Sequence, residues 1–256
     1  FRVAVDAVNS TGGIAIPRLL KALGVNEVVE LFCQPTGDFQ HNPEPIPQNL
    51  TDIARLVPEQ KCDLGIVVDP DVDRLALISE NGDMFGEEYT LVSVADYVLE
   101  HTPGNTVSNM SSTRALRDIT EQRGLTYAAA AVGEVNVTTK MKEVHAVIGG
   151  EGNGGVIYPA LHYGRDALVG VALFLTMLAH KREQQPGLTM SQLRQTYPSY
   201  VISKNRKDLT PDINVDAILS QMAEKYKHER VSTIDGVKID FADSWAHLRK
   251  SNTEPI

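Results

Sequence analysis

Asp69, Asp71 and Asp73 stand at alternate positions directly after the apolar run Leu64, Gly65, Ile66, Val67, Val68, with Pro70 stiffening the interval and Arg74 closing it. The run has the length and composition of a buried strand. The acids therefore fall at its carboxyl end, where open α/β sheets build their sites. Carboxylate oxygens suit a hard cation such as Mg²⁺, and an adjacent guanidinium suits the phosphate that such an ion accompanies. This is the pattern of a metal site for phosphate chemistry. Two plainer readings compete with it. Proline and acids are common in solvated turns. Asp69, Asp71, Asp73 and Glu80 also fall at positions 1, 3, 5 and 12 of an EF-hand loop. That loop needs glycine at its sixth position, where this chain has Arg74, and helices on both sides, where this chain has strand patterns.

Two further loops carry polar groups. Gly149, Gly150, Glu151, Gly152, Asn153, Gly154 and Gly155 follow an apolar stretch. We read them as a loop that lets a ligand approach the backbone, with Glu151 and Asn153 free to bond hydroxyls. The run is not GxGxxG and lacks the Lys-Ser/Thr pair of a P-loop, so nucleotide binding is a poor match; a purely structural loop fits the same residues. Arg249, Lys250, Ser251, Asn252, Thr253, Glu254 and Pro255 combine cations, hydroxyls and an amide after a strand pattern. Such groups serve phosphate sites, and they also serve polar turns.

The elements that must position these loops alternate. Strand patterns cover residues 2–8, 28–32, 64–68 and 75–79, with helices over 14–23, 50–56 and 87–100 and a proline-rich loop over 35–47. After Pro103 and Gly104 the same grammar repeats: strands over 106–109, 126–131 and 146–148, helices over 114–123 and 137–143, then a long helix over 166–181 that reads as buried on several sides. Beyond a short helix ending near Pro198 the grammar changes. A helix over 213–226 precedes strands over 231–234, 237–241 and 244–248, with Asp235 and Gly236 as a hairpin signal.

Length and composition bound the function. The 256 residues give room for two or three domains. Net charge of −9 excludes the basic face of a nucleic-acid binder, while a local arginine cluster still suits a small anionic substrate. Cys33 and Cys62 have no CxxC spacing and no nearby histidine, so a reducing cytoplasm is the expected compartment. No apolar run approaches membrane-spanning length. The chain starts at Phe1, without Met and inside a strand pattern, and is expected to be a piece of something longer.

Together the three loops resemble one family, the α-D-phosphohexomutases, which include phosphoglucomutase, phosphomannomutase and phosphoglucosamine mutase. Residues 69–74 match the family's DPDxDR, residues 249–255 look like its RxSNTEP phosphate loop, and residues 150–155 sit where its GE-x-SG sugar loop belongs. Residues 6–13 are similar to the opening of the family's second domain. The resemblance runs the length of the chain in the right order. It implies an α/β fold of two consecutive three-layer domains with mixed sheets (1–101, metal-binding; 102–199, sugar-binding) plus a partial α+β domain (200–256, phosphate-binding). It also implies Mg²⁺ on Asp69, Asp71 and Asp73, and a phosphoryl contact from Arg74. Glu151, Gly152 and Asn153 would bind the sugar; Arg249, Ser251, Asn252 and Thr253 would grip the non-reacting phosphate. The partner would be a phosphorylated hexose, and the activity the interconversion of hexose 1- and 6-phosphates through a phosphoserine and a bisphosphorylated intermediate.

The chain departs from the family at several points. No Ser-His pair of a TASHNP-like nucleophile loop occurs in it. His41, Asn42 and Pro43 are a decoy, following Phe39 and Gln40 within the wrong domain. We therefore expect the phosphoserine domain to be absent, the last domain to be cut short, and the chain alone to be inactive. Asn153 stands where serine is usual, and Gly155 and Glu134 stand where members place histidines, so no general base is assigned. The choice among glucose, mannose and glucosamine, and the oligomeric state, are left open. Rival readings are a phosphatase with an aspartate nucleophile, which Pro70 disfavours, and a sugar-phosphate-binding module without catalysis.

Overall fold

The computed structural model describes residues 1–210 and 213–250. Strands β1 (Arg2–Asp6), β2 (Glu27–Leu31), β3 (Leu64–Val68) and β4 (Leu75–Ser79) form a sheet in the order β2-β1-β3-β4. The first three are parallel and β4 returns antiparallel to β3. Every residue of β3 and β4 is buried, which is why both read as unbroken apolar runs rather than alternating ones. Helix α2 (Thr51–Glu59) covers one face, setting Ile53 and Val57 on Ala4, Val67, Ala76 and Ile78. Helices α1 (Gly12–Ala22) and α3 (Glu87–His101) lie on the other.

The second half repeats this topology. Strands β5 (Asn105–Asn109), β6 (Tyr127–Ala130), β7 (Ala146–Glu151) and β8 (Gly155–Ile157) are ordered β6-β5-β7-β8, again with the last strand antiparallel. Helix α5 (Glu134–Glu143) closes one face, its Val137 and Met141 packed on Val107, Ala146 and Ile157. Helices α4 (Ala115–Glu121) and α6 (Ala167–Gln184) lie on the inner side with α3.

One apolar cluster runs through the space between the sheets, from Val3 and Ile66 through Val92, Phe174 and Met177 to Ile148 and Val156. Helix α3 touches β4 on one side and β7 on the other. It is consequently buried at every position from Glu88 to Ala95. Helix α6 has the same sandwiched setting against α3, β4 and β8, so the expectation of burial on several sides holds. Asp166 is its N-cap, accepting from the N–H groups of Leu168 and Val169.

Helix α7 (Met190–Gln195) opens with a capping box formed by Thr189 and Gln192. Helix α8 (Val215–Lys225) precedes an antiparallel sheet of β9 (Arg230–Ser232), β10 (Val237–Asp240) and β11 (Trp245–Leu248), with β10 central. The fold is thus the expected pair of α/β units with mixed sheets and a small α+β part. Among the described residues, no helix is long and apolar enough to cross a membrane.

The glycine run is a correction. Residues 149–155 read as a loop, yet β7 continues through Gly149 and Gly150 to Glu151, and β8 starts at Gly155. Glycine carries no side chain to show a strand's period; pairing with β5 on one side and β8 on the other supplies what the pattern lacks.

Candidate active site

The 69–74 connection joins β3 to its antiparallel neighbour, and the 152–154 turn joins β7 to its own, so the two loops are the same connection in each repeat. The fold brings them together. The Leu75 N–H donates to the Gly154 carbonyl at 3.0 Å, and the Ala167 N–H donates to the Val72 carbonyl at 3.0 Å.

Within the first loop, Asp69 is only 6% exposed. Its Oδ1 accepts the backbone N–H groups of Asp73 at 3.0 Å and Arg74 at 2.9 Å, closing the loop on itself. Val72 takes φ +60°, a left-handed conformation rare for a β-branched residue and costing on the order of 1–3 kcal/mol. The Ser10 and Thr11 hydroxyls brace the loop from outside by donating to the Pro70 carbonyl at 2.8 and 2.9 Å.

This frame points Asp69, Asp71 and Asp73 at one place, with one oxygen from each inside a 4.8 Å group. Burial pushes the Asp69 carboxyl up to about 6; the Arg74 N–H opposes the shift, and the neighbouring Asp73 and Asp71 charges add to it. Asp73 Oδ1 is buried without a hydrogen-bond partner. Oxygen-only donors and an unsatisfied carboxylate atom fit a hard divalent cation that keeps several positions for water or phosphate. Arg74 folds back over these acids, its Nε 3.6 Å from Asp69 Oδ2 and 3.9 Å from Asp73 Oδ1, while Nη1 lies 3.7 Å from Glu44.

The second loop differs from its expected behaviour. Glu151 is not free. It is 4% exposed, and its Oε1 accepts from Asn109 Nδ2 at 2.8 Å and the Gly133 N–H at 3.2 Å. Its Oε2 accepts from Arg165 Nη1 at 3.0 Å. Asn153 is turned inward too, its Oδ1 accepting the Gly155 N–H at 3.2 Å. The Gly152 N–H donates to Ser112 Oγ at 3.1 Å. Beneath the turn, Glu88 packs against Gly152. Its Oε2 accepts the Thr113 N–H at 2.8 Å, its Oε1 has no partner, and burial pushes its carboxyl up to about 7.

The third unit reaches the same rim. Arg249 Nε donates to Asp235 Oδ2 at 3.2 Å, and that oxygen also accepts the Val132 N–H at 2.9 Å, next to Gly133. Ser111 Oγ lies 2.8 Å from His247 Nδ1, and Lys238 Nζ donates to the Met110 carbonyl at 2.7 Å. Ser251, Asn252 and Thr253 lie outside the described residues. His41, the decoy, pairs its Nε2 with the buried Asp6 at 3.1 Å.

Sequence reasoning missed Arg165 and Glu88. Arg165 holds Glu151, Glu134 and Asp73 at once. Its position just before a helix start carries no signal of that in the sequence.

Two α/β repeats with an acid triad on one and a glycine hairpin on the other, meeting at the strand ends, define a class of two-repeat α/β protein whose equivalent connections share one site. The comparisons are specific about which. Residues 1–82 match the family model described as phosphoglucomutase/phosphomannomutase, alpha/beta/alpha domain II, and residues 86–200 match domain III of the same family. A phosphoglucomutase/phosphomannomutase of Thermococcus kodakarensis is 35% identical over 99% of this chain and 55% of its own length. A probable phosphoglucosamine mutase of Methanopyrus kandleri is 30% identical over the whole chain and 56% of its own length. Among solved structures, a phosphoglucomutase/phosphomannomutase family protein of Burkholderia thailandensis superposes with a TM-score of 0.85 at 30% identity, covering 100% of this chain and 54% of that one. An Aspergillus fumigatus N-acetylphosphoglucosamine mutase, solved with GlcNAc-6P and magnesium, shares the fold at 14% identity and a TM-score of 0.54, covering 92% and 56%. The chain belongs to the phosphoglucomutase/phosphomannomutase family, the α-D-phosphohexomutases. It spans about half the length of the curated relatives it matches.

Proposed function

We propose that this chain supplies the metal and sugar sides of a Mg²⁺-dependent phosphohexomutase cleft, in an enzyme that interconverts hexose 1-phosphate and hexose 6-phosphate. The observation that carries the reading is the meeting of the 69–74 connection with the 152–154 turn, linked by the Leu75–Gly154 backbone hydrogen bond and by Arg165, which pairs with both Asp73 and Glu151. Family membership and the names of the relatives support the same reaction class.

In this reading Asp69, Asp71 and Asp73 hold Mg²⁺, which when bound offsets negative charge on the phosphoryl oxygens. Arg74, now lying on the acids, turns to those oxygens. Glu151, Gly152 and Asn153 orient the sugar once a ligand replaces their internal partners. Arg249, Ser251, Asn252 and Thr253 take the phosphate that does not react, so that remote binding energy positions the reacting end. The phosphoryl donor is a phosphoserine that these 256 residues do not supply, since no Ser-His nucleophile motif is among them. The relatives' names divide between glucose/mannose and glucosamine branches, so phosphoglucosamine mutase is the second reading.

Calorimetric titration of the chain with MgCl₂ and then glucose 1,6-bisphosphate tests the site, alongside a coupled assay of glucose 1-phosphate and glucosamine 1-phosphate conversion. Magnesium-dependent binding without turnover is expected. Absence of metal-dependent sugar-phosphate binding would remove the site, whereas robust turnover by the chain alone would overturn the claim that its nucleophile lies elsewhere.

A further inference from the structure

Arg165 precedes the N-cap of α6 and is mostly covered, with a side chain 15% exposed. Its guanidinium meets carboxylates from three separate segments. Nη2 pairs with Asp73 Oδ2 in the β3–β4 connection. Nη1 donates to Glu151 Oε2 at 3.0 Å at the end of β7. Nε lies 3.4 Å from Glu134 Oε2 in the first turn of α5, and the Arg165 N–H donates to the other Glu134 oxygen at 2.9 Å.

The side chain has little choice of path. Its stem crosses Gly155 so closely that a Cβ there would overlap Arg165 Cδ. Its backbone bridges to Ile157 of β8. The anchor on Glu134 fixes both ends of the residue, so the guanidinium is carried to Asp73 by the second repeat, not by the loop that owns Asp73.

The charge balance gives this placement a consequence. Asp69, Asp71, Asp73, Glu134 and Glu151 converge around Arg165 and Arg74. Like-charged carboxylates at such range repel one another unless a cation lies among them. A divalent ion on the triad would share Asp73 with Arg165, and two cations competing for one carboxylate weaken each other's hold.

We propose that Arg165 is the internal counter-ion of the metal loop: reaching Asp73 from the second repeat, it takes up part of that carboxylate's charge and, acting through Asp73, lowers the site's affinity for a divalent cation. This rests on the metal reading of the Asp triad. It goes beyond that reading by assigning control of the ion's affinity to a residue of the sugar-side repeat. The device keeps the ion exchangeable and makes Asp73 and Glu151 share one partner.

The test measures Mn²⁺ binding to the full chain by electron paramagnetic resonance in 0.1 M salt. Arg165→Met and Arg165→Gln both remove the charge, and the second keeps a hydrogen-bond donor in case the first does not fold. Both should bind Mn²⁺ roughly three- to tenfold more tightly than the natural chain, the range set by one charge near a divalent ion with and without screening. Arg165→Lys, which keeps the charge, should stay within about twofold. Unchanged or weaker binding by the folded neutral variants would overturn the proposal and make Arg165 a strut. If the natural chain binds no Mn²⁺, or Asp71→Asn binds as tightly as it does, the metal reading itself is what has failed.

Discussion

Gly154 presents its carbonyl to the Leu75 N–H at 3.0 Å while its own α-carbon faces the Leu75 carbonyl so closely that any Cβ would overlap it. With φ at +88° the position also has a backbone that side chains rarely adopt. The contact joins the turn of one sheet to the first residue of the other sheet's edge strand. Gly154→Ala should therefore lower stability by about 2–4 kcal/mol, combining left-handed strain with displacement of backbone. Gly124→Ala is the control: its φ is +69° but nothing lies within 4 Å, so only about 1 kcal/mol is at stake. Urea unfolding of both variants checks this, and equal losses would contradict the close approach.

Asp71 is the exposed member of the triad and makes no ion pair or hydrogen bond among the described residues. Removing its charge should leave folding within about 0.5 kcal/mol of the natural chain. Metal affinity should fall by roughly tenfold or more, since a hard cation loses one anionic oxygen. Calorimetry with MgCl₂ on Asp71→Asn reads both properties, and an unaltered dissociation constant would remove Asp71 from the ligand set.

The Glu88 carboxyl, pushed by burial from 4.5 up to about 7, makes stability depend on pH. Between those values the unfolded chain has released the proton while the folded chain retains it, so stability falls as pH rises through the window. The effect is on the order of 3 kcal/mol across the whole interval. Glu88→Gln, which keeps an acceptor for the Thr113 N–H, should gain stability relative to the natural chain on going from pH 5 to pH 8. Parallel pH profiles for the two proteins would show that Glu88 does not carry the titration.

Phe174 and Phe85 meet edge-on at 5.4 Å, both fully buried in the helical layer that serves both sheets. Phe174→Ala should cost about 3–5 kcal/mol. Because α6 packs against β4 and β8 alike, hydrogen exchange should accelerate in β3 and in β7 together. Loss of protection confined to one sheet would mean the repeats unfold independently.

Much of this was legible in the chain, for reasons that differ by element. β3 was plain because a strand covered on both faces must be apolar throughout, and the triad was plain because its chemistry lies within six consecutive residues. The hairpin around Asp235 and Gly236 was legible from that dipeptide between two strand patterns, but its first strand stops at Ser232, which pairs with Lys238, so the turn is wider than the two residues expected. The extension of β7 through Gly149 and Gly150 was not legible, since paired strands rather than side chains define it. Nor was the state of Glu151: its acceptor capacity was evident, but its donors, Asn109, Gly133 and Arg165, come from separate elements.

The sequence by itself determined what is local: strand and helix periods, turn residues, and a run of alternating carboxylates that the folded loop gathers within one 4.8 Å group. Tertiary structure decided which groups share that site. Arg165 lies 92 residues from Asp73, 31 from Glu134 and 14 from Glu151, and no periodicity links positions so far apart. They meet because two sheets of the same topology bury their inner faces on one helical layer, which sets equivalent connections edge to edge. The burial that drives this packing is non-directional; the ion pairs and hydrogen bonds formed at that edge are short-ranged and specific, and only the packed chain could select them.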